Sequence, residues 1–181
     1  MFAGAVALQL PYIYACNTEV IDEVIISVSD KQYSINNGDL RIIMDILIPN
    51  SETGPSATSI KADVYFYWLI ADSRVDLSRR RNLAASISRI NMFAKEKYSS
   101  PLQNLSENDL KETIEAVSLT NWGETDLSLL MTVCFEAMFA NTVYYVNTDQ
   151  KGWQWLGYMG GVPFPSVKNK YPEIMEINHL K

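Results

Sequence analysis

The sequence predicts an α+β fold: an N-terminal antiparallel sheet of four or five strands, packed by about three C-terminal helices. Three observations lead there. Runs rich in β-branched and aromatic residues, many alternating with period two, fill the chain as far as residue 72. From about Asp76 the apolar period becomes helical. Strands come first and helices follow, without the strand–helix alternation of a doubly wound sheet.

The first predicted strand is set by Val6, Leu8 and Leu10 alternating with Ala5, Ala7 and Gln9, and Pro11 ends it. VIISVS (24–29) is a β-branched run followed by a turn at Asp30 and Lys31. In YSINNGDLRIIMDILIP (33–49), Asn37-Gly38 tolerates the positive φ of a type I′ turn, which predicts a hairpin. Its second strand places Leu40, Ile42, Met44, Ile46 and Ile48 on one face. PNSETGPSATS (49–59) has loop composition. SIKADVYFYWLIAD (59–72) then reads as a long strand, with Ile60, Ala62, Val64, Phe66, Trp68 and Ile70 inward and Tyr65 and Tyr67 on the other face.

The helical half starts with Leu83, Ile87, Ile90 and Ala94, spaced by four, three and four, on a helix from about Asp76 to Tyr98. Pro101 blocks its continuation. Ser106 with Asp109 resembles a capping box and opens a short helix carrying Leu110, Ile114 and Val117. Thr125 is the expected cap of a longer helix, 126–146, that is apolar on nearly every side. Its length would span a bilayer, but Glu136 lies mid-segment and a central acid costs about 2.5–3.5 kcal/mol on insertion. It is therefore read as a core helix. Residues 151–181 should be mostly irregular, with one short element around 173–178.

The 181 residues fit a single domain over 1–181: sheet-rich over 1–72, helix-rich over 76–146, and an aromatic, glycine- and proline-containing tail over 151–181. A net charge of −6 repels a phosphate backbone, so nucleic acid is not an expected partner, whereas a basic protein is. With two cysteines, Cys16 and Cys134, and one histidine, His179, a Cys/His zinc site is not expected. Neither metal nor cofactor is expected, and the cysteines read as buried thiols or, after export, as a disulfide.

MFAGAVALQLPYIYAC has two readings. Ala15 before Cys16 resembles a lipoprotein cleavage site, which makes Cys16 a candidate for lipidation, and membrane contact is expected only in that case. Against this, the first basic side chain is Lys31, so the positive leader region is missing. The strand reading, with the protein retained in the cytoplasm, fits better.

Four features are candidates for function. GWQWLGYMGGVPFP (152–165) sets Trp153, Trp155 and Tyr158 among glycines as an aromatic platform. Arg79, Arg80 and Arg81 sit in the first turn of a helix, where the dipole disfavours cations, so they need carboxylate or phosphate partners. Glu136 in an apolar helix needs a basic partner, for which those arginines are candidates. Tyr65 and Tyr67 mark a binding surface if the helices leave them uncovered. Without a GxSxG elbow or HExxH motif, nothing points to an enzyme. The expected function is a non-enzymatic protein-binding module, such as an immunity or inhibitor protein blocking a basic partner. The alternatives are an envelope lipoprotein anchored through Cys16 and a structural subunit of a viral or filamentous assembly.

Overall fold

A computed structural model describes residues 23–52 and 54–158 of the chain. Among these residues there are two strands, β1 (Glu23–Val28) and β2 (Lys31–Asn36), and six α-helices. The helices are α1 (Asn37–Leu47), α2 (Ala62–Ala71), α3 (Leu77–Tyr98), α4 (Glu107–Ser118), α5 (Asn121–Phe139) and α6 (Lys151–Trp155). The architecture is mostly helical, and among the described residues the expected four- or five-stranded sheet is replaced by a two-stranded one. The predicted strand at 5–10 and the element around 173–178 lie outside the described residues.

β1 and β2 form an antiparallel hairpin in which Val24 faces Ile35 and Val28 faces Lys31. Ser29 adopts a left-handed conformation in the turn, with φ 58°. Val28 and Ile35 are buried where the hairpin packs on α3. The hairpin thus turns at Ser29-Asp30, one residue before the predicted turn, and not at Asn37-Gly38.

Asn37 and Gly38 instead open α1. The Asn36 side chain accepts a hydrogen bond from the Asp39 backbone N–H at 3.0 Å, which is an N-cap rather than a type I′ turn. The run that follows is apolar at almost every position, so it also contains a helical stripe: Leu40, Ile43 and Met44 are buried, at spacings of three and one. The stretch expected as the 59–72 strand is α2, whose buried Phe66, Leu69 and Ile70 again follow helical spacing. β-branched and aromatic composition is a weak preference that packing overrides.

The connection over 49–59 is irregular, as its composition predicts. Asp45 of α1 pins it by accepting from the Thr58 N–H at 2.9 Å and from the Thr58 hydroxyl at 2.5 Å. Lys61 then leads into α2, with Arg41 Nε 2.8 Å from the buried carboxylate of Asp63 in its first turn.

In α3 the predicted stripe Leu83, Ile87, Ile90 and Ala94 is fully buried, and Asp76 caps the start. α4 opens at the Ser106 cap read from the sequence. The Ser106 hydroxyl accepts from the Asp109 N–H and donates to the Asp109 carboxylate at 2.6 Å. α5 begins five residues before the expected start, capped by Thr120 rather than Thr125. Gly123 permits this early turn: a Cβ there would lie 2.0 Å from the Val117 carbonyl oxygen of α4. α5 packs against α1, α2, α3, α4 and α6 and forms the middle of the molecule.

Past α5 the chain turns on Asn147. Its side-chain amide donates to the Ala140 carbonyl, and its side-chain oxygen accepts from the Gly152 N–H at 2.8 Å. This folds α6 beneath the C-terminal end of α5.

Candidate functional site

α5 carries apolar residues on opposite sides. Leu127, Leu130, Val133, Cys134, Ala137 and Met138 face the core. Met131, Phe135 and Phe139 face outward, with 37%, 41% and 58% of their surface exposed. An apolar helix normally hides every side, so a helix with three uncovered large side chains spaced by four has an unpartnered face.

Beside that face, α2 supplies Tyr65 and Trp68, whose rings stack at 5.7 Å, and Tyr144 leans on Trp68 at 5.1 Å. With Phe135, Glu136 and Phe139 these residues line an open groove of about 540 Å³. The one carboxylate in it is neutralised: Arg79 Nη2 of α3 donates to Glu136 Oε2 at 2.7 Å. The Tyr65 phenol is held above its ordinary pKa, first by burial and then by the Glu136 charge. The groove is aromatic and nearly uncharged. Such a surface suits the core of a protein interface, where aromatic and Met side chains are enriched and charges are depleted.

The residues singled out from the sequence distribute around this groove. Tyr65 lines it. Tyr67 points elsewhere and is half-buried, its hydroxyl 3.5 Å from Asn37 Oδ1; burial, followed by the Asp63 carboxylate, pushes its pKa up to about 12. Trp153 is a buried strut: its Nε1 donates to the Phe139 carbonyl at 3.0 Å, fixing the C-terminal end of α5 from behind. Tyr158 is exposed and meets Trp153 edge-on at 5.5 Å. Trp155 is partly exposed and covers Gly54, where a Cβ would lie 2.9 Å from its indole. The three therefore do not form one platform.

The three arginines are all engaged within the chain. Arg79 holds Glu136, Arg80 Nε donates to the Ile70 carbonyl at the end of α2 at 2.7 Å, and Arg81 reaches Asp30 in the hairpin turn at 2.5 Å. They tie the start of α3 to α5, α2 and the hairpin, which answers the unfavourable placement of cations at that helix end. Cys134 is a buried free thiol whose pKa burial raises to about 12. Cys16 lies outside the described residues. Among the described residues no cluster of His, Cys, Asp and Glu could hold a metal ion, and no helix is long and apolar enough to cross a membrane.

Sequence reasoning missed Trp68, Met131, Phe135, Phe139 and Tyr144. The available signal was the 131, 135, 139 spacing, which repeats on the side of the helix opposite Leu130, Val133 and Ala137. That spacing does not stand out in a helix that is apolar on nearly every side.

A family model for gluconate 2-dehydrogenase subunit 3 matches residues 40–161, from the first turn of α1 to beyond α6. No curated protein and no solved structure matches the chain. The family match overturns the expected immunity or inhibitor protein in favour of a subunit family of a dehydrogenase. Covering most of the chain, it settles descent: this protein belongs to the gluconate 2-dehydrogenase subunit 3 family.

Proposed function

We propose that this chain is a non-catalytic subunit of a dehydrogenase assembly and docks the enzyme-bearing partner through the α2–α5 aromatic face. The observation that carries the reading is the uncovered row Met131, Phe135 and Phe139 beside Tyr65, Trp68 and Tyr144. Burying such a row removes a large apolar area from water, worth about 25 cal/mol per Å² before the costs of association. The family to which the chain belongs is named for a subunit, which implies a protein partner in a complex. In this reading cofactor and substrate chemistry sit on the partner. The chain's own cysteines stand 118 positions apart in a sequence without a CxxCH haem-attachment run or a GxGxxG dinucleotide fingerprint.

The test is recovery of the tagged full chain from its native cells, with mass spectrometry of what co-elutes and a dye-reduction assay with gluconate. The expected result is co-elution with a larger dehydrogenase subunit, dye reduction by the complex, and none by the isolated chain. Dye reduction by the isolated chain, or recovery without any dehydrogenase subunit, overturns the reading.

A further inference from the structure

The outward positions of α5 run Glu124, Ser128, Met131, Phe135 and Phe139, at spacings of four, three, four and four. Alternating threes and fours are the spacing at which one helix seats another along a shallow crossing. The fifteen steps from Glu124 to Phe139 span about 22 Å at about 1.5 Å each, roughly four turns of a facing helix. Resting on the assembly reading above, we infer that the occupant of this face is an amphipathic α-helix of the partner subunit. Its apolar stripe lies over Met131, Phe135 and Phe139, and its Lys or Arg side chains lie beside Glu115 and Glu124.

Backbone chemistry favours a helix over an extended segment. The face offers side chains and no free backbone donors or acceptors, because the amides of α5 are spent within the helix. A strand laid there would bury its own N–H and C=O groups unpaired, whereas a helix arrives with them satisfied.

Charge sets its orientation. Among the described residues lining the groove at the Phe139 end, the one carboxylate, Glu136, already has Arg79. At the other end a second groove, lined by Ile46, Leu47, Ile114, Leu127 and Met131, is rimmed by exposed Glu115 and Glu124. Neither has an ion-pair partner among the described residues, while Lys111 on the same rim is taken by Glu107 at 2.6 Å. The docked helix is therefore apolar at one end and basic at the other.

The same asymmetry disfavours a second copy of this chain. A two-fold axis through the middle of the face, with the helices antiparallel, would set each Glu124 on the other copy's Phe139, stripping water from a carboxylate against an aromatic ring. A parallel pairing would set Glu124 against Glu124.

The experiment uses the complex purified through the tagged full chain. A water-soluble carbodiimide, which joins carboxylates to lysine amines in contact, is applied and the linked peptides are identified by mass spectrometry. Glu115 or Glu124 should be joined to a lysine in a partner segment whose apolar residues recur at spacings of three and four. Phe135→Asp should reduce recovery of the partner about tenfold or more, with the melting temperature and helical circular dichroism of the isolated chain unchanged. Met131→Glu, at the other side of the stripe, should do the same. Cross-links to this chain's own Lys168, Lys170 or Lys181, or to a second copy, overturn the inference. So does full recovery of the partner by both variants, and in that case the assembly reading survives. Failure of the wild-type chain to bring down any dehydrogenase subunit overturns both.

Discussion

Arg79 of α3 and Glu136 of α5 meet at 2.7 Å across 57 residues of sequence. The pair accounts for two features that look unfavourable in isolation: a cation in the first turn of a helix and a carboxylate in an apolar one. It also leaves the aromatic groove beside it without a net charge. Because both side chains remain partly exposed, the coupling should be modest. A double-mutant cycle with Arg79→Met and Glu136→Gln, followed by urea unfolding, should return about 1 kcal/mol, diminishing in high salt. A coupling energy of zero at low salt would mean that the contact has no energetic role.

Arg89 and Asp126 should behave asymmetrically. Arg89 grips the Asp126 carboxylate with two nitrogens, Nε at 2.7 Å and Nη2 at 2.5 Å, but the Asp126 side chain is 3% exposed against 38% for Arg89. Removing the arginine strands a buried charge, whereas removing the acid leaves a cation that water can reach. Arg89→Met should therefore cost about 3 kcal/mol near neutral pH, and Asp126→Asn distinctly less. Equal losses in chemical denaturation would refute the argument.

Gly123 stands where α4 hands over to α5, and a Cβ would be placed 2.0 Å from the Val117 carbonyl and 2.6 Å from Thr120 Oγ1, the cap of α5. The obstacle is backbone and cannot rotate away. Gly123→Ala should destabilise the chain by about 3 kcal/mol or more, although alanine is the better helix former. A variant melting at or above the wild-type temperature would show that the α4–α5 corner relaxes freely.

Cys134 makes stability depend on alkaline pH. Its thiol is held up to about 12 from an ordinary 9.0, chiefly by burial. The unfolded chain releases this proton as pH rises through about 9, while the folded chain retains it. The unfolded state then binds fewer protons, so folding stability falls with rising pH between about 9 and 12, by up to about 1.4 kcal/mol per unit from this group. Cys134→Ala should flatten that part of the curve while lowering stability at neutral pH. In the wild type a thiol reagent should label Cys134 only as the chain unfolds. Rapid labelling of Cys134 in the folded protein at pH 8 would contradict the burial.

The sequence by itself determined α3 and α4. Asp76 and Ser106 are local caps, and Leu83, Ile87, Ile90 and Ala94 make a stripe broken by polar residues, so one period fits and the other does not. It also marked the run 24–36 as strand and turn. Over 40–48 and 62–71 apolar residues occupy both parities, and such a run satisfies period two and period 3.6 at once. Only the neighbours decide: α5 lies where a helix can seat Phe66 and Ile70, and the Asn36 cap turns Asn37-Gly38 into a helix start. The candidate site divides in the same way. Tyr65 and the oddity of Glu136 are legible in the chain, because each is a local departure from pattern. That Phe135 and Phe139 stay uncovered, and that Trp153 does not, was decided by tertiary structure, since exposure belongs to the packed arrangement and a residue's letter does not carry it.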